Sequence, residues 1–139
     1  MLLKTLRICA VLFAGTAASV LFAQYGPPEG PYAPDAVRSL VDRVHNDLNH
    51  GYSVWNLHSG DRDRLNHAER DLRSFSRDWE HGRFDRGDLD SSIGAIQHVL
   101  DENRLRGGER DALSADVGQL RHLREAYNRH EIGNWEQHH

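Results

Sequence analysis

Every proline in this chain lies within one short stretch: Pro27, Pro28, Pro31 and Pro34. Past Pro34 no residue locks φ or removes a backbone donor, so helices of any length are allowed from Asp35 onward. Gly26 and Gly30 stand among the prolines, and such a composition reads as a flexible Pro/Gly-rich arm over residues 24–34. The shift in composition puts a boundary at residue 34. A helical bundle domain is expected over residues 35–133 and a C-terminal tail over 134–139.

Apolar residues recur at helical spacing in four segments beyond that boundary. The second is the clearest. Leu65, Ala68, Leu72, Phe75 and Trp79 follow one another at intervals of three and four, which places them on one stripe. Gly82 suits the left-handed residue that closes such a helix. The third segment starts at Asp85, a good N-cap, with Asp88 in its first turn and Phe84 placed to pack on Leu89. Its stripe is Leu89, Ile93, Ile96 and Leu100, and Asn103 is the expected left-handed stop. Gly82-Arg83-Phe84 and Asn103-Arg104-Leu105 then read as the same helix ending used twice.

The fourth segment covers Glu109 to His130, with Leu113, Val117, Leu120, Leu123 and Tyr127 inward. Its expected limits are a turn at Gly107-Gly108 and a stop at Gly133. The first begins at Pro34-Asp35 and carries Val37, Val41, Val44 and Leu48. Gly51 is a possible end, yet Tyr52 and Trp55 continue the face, and a mid-helix glycine costs only about 1 kcal/mol. The helix is therefore expected to reach about Leu57 and to turn at Ser59-Gly60. Strand-like alternation is absent. Long amphipathic helices on short links lie antiparallel, so the expected fold is all-α: an up-down-up-down four-helix bundle. Arg38 with Asp42, Arg43 with Asp47, Glu69 with Arg73, Arg121 with Glu125 and Glu125 with Arg129 are expected to pair along the outer faces, at roughly 0.2–0.5 kcal/mol each.

The start of the chain speaks to location. Lys4 and Arg7 precede an apolar run from Ile8 to Phe22, which ends at Ala23-Gln24. Residues 1–23 have the make-up of a secretory signal peptide. The 16 residues from Ile8 to Ala23 fall short of the roughly 20 needed to span a hydrocarbon core, so no stable membrane span is expected after cleavage. Cys9 follows Arg7 at the front of the run, the wrong place for lipid attachment. The expected product is exported, periplasmic or secreted. Its arginine-rich, nearly lysine-free composition points to a bacterial source.

Cleavage after Ala23 would leave 116 of the 139 residues, enough for one core, with no cysteine for disulfides or thiol chemistry. Two of the 17 basic residues fall in the leader, leaving 15 against 21 acidic ones, a net charge of about −6. That balance argues against a nucleic-acid partner. Residues 61–90 hold seven arginines but also nine carboxylates, which reads as a mixed solvated face.

Ten histidines are the strongest candidates for chemistry. Asp42 with His45, Asp78 with His81, His98 with Asp101, and His122 with Glu125 have spacings that can hold a metal or fix an imidazole tautomer. Against the apolar stripes, His67, His81, His98 and His122 point outward and only His45 borders the core. A metal centre inside a bundle needs inward ligands. The metal candidates are therefore weak: His45, His122 and Glu125, with zinc, copper or nickel at surface histidines as the alternative to no cofactor. His130-Glu131-Ile132-Gly133-Asn134 lacks the second histidine of a zinc-peptidase motif. Ser53 lacks a nucleophile elbow, and Asp101 and Asn103 start a calcium-type loop that Leu105 breaks. No catalytic residue emerges. The reading is a small exported non-enzymatic bundle that contacts an unknown protein or envelope component, with Trp55 and Trp135 as possible contact aromatics.

Overall fold

Pro34 opens the first helix, where a fixed φ and a missing N–H do no harm. In the computed structural model, which describes residues 26–103, 105 and 107–135, four helices follow one another. They are α1 (Pro34–Val54), α2 (Asp61–Glu80), α3 (Arg86–Glu102) and α4 (Gly107–Asn128). No strand occurs among the described residues. Each helix packs on its neighbours in sequence, and α1 also packs on α4, as in a four-helix bundle. The expected signal peptide (1–23), its Cys9, and the terminal His138 and His139 lie outside the described residues. No helix among those described is long and apolar enough to cross a membrane.

The apolar stripes form one core. Leu65, Ala68, Leu72, Phe75 and Trp79 are all buried, together with Leu89, Ile93, Ile96 and Leu100 from α3 and Leu113, Val117, Leu120 and Leu123 from α4. Val37, Val41, Val44 and Leu48 supply the α1 side. Asp85 caps α3 as its position suggests, its Oδ1 accepting the Asp88 N–H at 3.0 Å.

The first helix runs through Gly51 and ends at Val54, three residues short of Leu57. Trp55 N–H closes it on the Gly51 carbonyl at 2.7 Å, and the indole folds back over the glycine. A Cβ at Gly51 would stand 2.4 Å from the ring, so the glycine is there to admit it. Trp55 is thereby buried at the end of the helix.

The helix endings pair differently from expectation. After α2, Gly82 N–H bonds Trp79 O (3.0 Å) and Arg83 N–H bonds Asp78 O (2.9 Å), with Gly82 left-handed at φ 87°. That is a Schellman ending. Its counterpart follows α4, where His130 N–H bonds Tyr127 O (3.1 Å), Glu131 N–H bonds Ala126 O (2.9 Å), and His130 takes φ 58°. The helix thus stops five residues before Gly133. Asn103 is not left-handed. Its backbone is extended (φ −115°, ψ 142°), and its buried amide terminates α3 by donating to Val99 O at 3.0 Å. At the other end of the same link, Gly107 and Gly108 belong to α4 and form its first turn.

These endings define two poles. At one, Asn103 Nδ2 also donates to Asp61 Oδ2 (2.8 Å) and its Oδ1 accepts the His58 N–H (3.1 Å), joining the end of α3 to the start of α2. At the other, Phe84 stacks on Tyr127 with centroids 4.0 Å apart and meets Phe75 and Trp79 edge-on. Trp79 Nε1 donates to Tyr32 O (2.8 Å), so the end of the Pro/Gly arm is docked as a short 3-10 turn, Gly30–Tyr32, instead of hanging free. The tail also folds back. Trp135 N–H bonds Gly82 O (2.9 Å), Asn134 Oδ1 accepts from Phe84 N–H (2.8 Å), and the Trp135 ring meets Trp79 edge-on at 6.3 Å.

Candidate functional site

Among the described residues the histidines are not gathered in one place. Of the four histidine–acid pairs expected along single helices, none comes within 4.0 Å among the described residues. His81 Nδ1 instead meets Arg77 O at 2.7 Å, and His98 faces Asp61 at 3.9 Å. His45 is half-buried between α1 and α2. Its Nδ1 lies 3.0 Å from Arg73 and 3.4 Å from Glu69 Oε1, while Nε2 meets Asn49 at 2.8 Å. His122 and Glu125 are exposed on α4. The three metal candidates therefore do not share a site.

One set of ligand-type groups joins two acids expected at a helix start, Asp85 and Asp88, to Asp78, the expected partner of His81. Carboxylate oxygens of Asp78, Asp85 and Asp88 lie within 4.8 Å of one another. Asp85 caps α3, and Asp78 pairs with Arg83 at 2.7 Å. Burial holds the Asp88 carboxyl above its usual range, aided by Asp85, Asp71 and Asp78 and opposed by a hydrogen bond from Ser74. Helix capping accounts for this group.

Three arginines of α2 share one flank, with Glu69 and Glu80 beside them. Arg70, Arg73 and Arg77 stand at i, i+3 and i+7, a spacing that puts them on one flank. That flank turns toward α1. With Arg38 of α1 they line a groove of about 470 Å3 whose floor is Val41 and the buried Ser76, and whose other walls are Asp42 and Glu80. Aspartates take the opposite flank, where Asp71 accepts from Ser91 of α3 at 3.0 Å and Asp78 joins the capping cluster.

Within the groove one carboxylate is committed. Glu80 Oε1 accepts from Arg38 Nε at 2.6 Å, which raises the guanidinium's pKa further. The other three arginines have no carboxylate partner. Arg70 and Arg73 contact imidazole nitrogens of His67 and His45, each at 3.0 Å, and the Arg77 side chain makes no hydrogen bond or ion pair among the described residues. Of the five pairs expected along single helices, only Glu125 with Arg129 comes within range, at 3.9 Å. The rest look across helix boundaries. Arg43, for example, reaches Asp116 (2.8 Å) and Gln119 (2.6 Å) on α4, and Arg121 reaches Gln97 (2.9 Å) on α3.

Asp116 is the other unusual group. Only 2% exposed, it sits on the inward side of α4, and its Oδ2 has no hydrogen-bond partner. Burial pushes its carboxyl up to about 6, and a contact with Asp47 adds to the rise, against the pull of Arg43. Position gave a usable signal that the sequence reading passed over, since residue 116 falls on the Leu113–Leu120 stripe. The arginine flank was equally readable, had basic and acidic residues been placed by helical phase instead of counted by segment. Comparison with models of known protein families, with curated proteins and with solved structures finds no match to this chain.

Proposed function

We propose that this chain is a small exported, non-enzymatic binding module that meets a protein or other envelope component through the groove between α1 and α2. One observation carries the reading: four arginines line that groove in a chain whose net charge is −4. A bundle with an apolar interior offers its chemistry on the outside. Here the outside gathers uncommitted guanidinium groups in one place, where they favour an acidic partner and repel a basic one. Nucleic acid is not the expected partner. A long polyanion tracking the surface would leave the groove and meet the aspartate flank of α2 and α3.

Export follows from the leader-like residues 1–23, and the bundle suits a compartment outside the cytoplasm because its fold needs no thiol chemistry. A photo-crosslinking residue at Asp42, inside the groove, tests the contact in intact cells against the same residue at Asp111 on α4. A discrete adduct from position 42 alone is the expected result. Equal labelling from both positions, or none from either, would refute the groove as the contact surface.

A further inference from the structure

We infer that the α1–α2 groove takes a compact phosphate monoester, held by Arg70, Arg73 and Arg77 over the Val41–Ser76 floor. The inference deepens the proposed function by naming the chemistry of what the groove recognises.

Three features select this ligand class. The first is the number of free donors. A guanidinium presents a planar fork that suits a pair of oxygens, and a lone carboxylate is satisfied by one such fork. Arg70, Arg73 and Arg77 offer three forks without a carboxylate partner. A phosphate monoester, with three terminal oxygens and close to two negative charges, can use them all.

Length is the second feature. The seven residues from Arg70 to Arg77 span about 10 Å of helix, the reach of a small ester and not of a polymer. The third is the charge around the groove. Four arginines against Asp42 and Glu80 leave the groove with a local positive excess, while Asp71 and Asp78 hold the far flank of α2 and the chain is net negative, so attraction of an anion centres on the groove. An extended anionic surface, such as a membrane, would be repelled by most of what it met.

Asp42 stands in the wall and opposes an incoming anion. It gives the inference a distinctive test, because removing it should improve binding. The three arginines are exposed, so replacing them leaves the core intact.

The experiment is a titration of the 15N-labelled protein with glycerol phosphate, followed by amide shifts. Inorganic phosphate, acetate and vesicles containing an anionic phospholipid are parallel arms. Saturable shifts confined to residues 38–42 and 70–80 are expected with both phosphates, and acetate should bind more weakly. Arg70→Gln and Arg77→Gln should each weaken binding about two- to fivefold, the range of an exposed charge pair, and Asp42→Asn should tighten it about twofold. Arg129→Gln, just past the end of α4, should change nothing. The inference is overturned by the absence of saturable shifts, by acetate binding as well as phosphate, by vesicles outcompeting the soluble ester, or by insensitivity to Arg77→Gln or Asp42→Asn. A groove crosslink without phosphate binding would sink this inference and leave the proposed function standing. Phosphate binding without a crosslink would do the reverse.

Discussion

Asp116→Asn isolates a deeply buried acid whose ionisation the fold opposes. Its carboxyl sits at about 6 in the folded chain, against 3.8 for the unperturbed group. Between those values the folded protein keeps a proton that the unfolded chain has already released. Stability from this residue is therefore fully present below about pH 4 and is lost as pH rises through 6. Two units at about 1.4 kcal/mol each set the total near 3 kcal/mol. About 2 kcal/mol of that falls between pH 4.5 and 7.5, because the unfolded carboxyl is already mostly ionised at the lower limit.

Asparagine keeps the shape, can still hydrogen-bond Asp47 and does not titrate. The pull of Arg43 on the ionised carboxylate is already part of the folded-state value of about 6, so any remaining pH-independent difference in hydrogen bonding shifts the whole curve without tilting it. Urea unfolding of both proteins at several pH values supplies the comparison. The stability of the variant relative to the native chain should rise by about 2 kcal/mol from pH 4.5 to 7.5. Two parallel profiles would refute the account of Asp116, whatever their offset.

Other substitutions probe the helix ends. Gly51→Ala should destabilise by about 1–3 kcal/mol despite alanine's better helix propensity, because its methyl drives the Trp55 indole off the backbone. A gain in stability on thermal unfolding would show that the ring is not held there. Asn103→Ala should cost about 2–4 kcal/mol in chemical denaturation, since it strands the Asp61 carboxylate and the His58 N–H together. A loss below about 0.5 kcal/mol would mean that water replaces the amide without difficulty. His130→Gly should stabilise by about 1 kcal/mol, relieving a left-handed residue that carries a Cβ. A lowered melting temperature would contradict that.

The helices were legible because each stripe is long and uninterrupted by proline. Leu65 to Trp79 alone fixes the face of α2, and burial agrees at each of its five positions. Helix endings were only half legible. Gly82 follows local conformational preference, which sequence carries. His130 has an unfavourable preference that neighbouring contacts override, and the Asn103 amide finds two partners more than forty residues away, the His58 N–H and the Asp61 carboxylate, besides Val99 O in its own helix, so its backbone need not turn left-handed.

The candidate site was less visible for a related reason. Four-residue spacing predicts partners on an isolated helix, where solvent surrounds every flank. In the packed fold a flanking arginine can reach a neighbouring helix, as Arg43 does to Asp116 and Arg38 to Glu80. Counting charges by segment then hides which flank each one occupies. Likewise, no pattern in one helix says that His45 of α1 will stand apart from His122 and Glu125 of α4.

The docking of Tyr32 beneath Trp79, and of Trp135 beside it, has a consequence for anything joined to this protein. Both ends of the described chain leave from one pole, so a tether, a label or a fused domain at either end would sit on the same side. The face holding Asn103 would point away from that attachment, whereas the arginine groove, which includes Arg38 near the start of α1 and Glu80 at the end of α2, lies in the half of the bundle nearest it. A fusion at either end should therefore hold the protein like a bulb in a socket, with the Asn103 pole outermost.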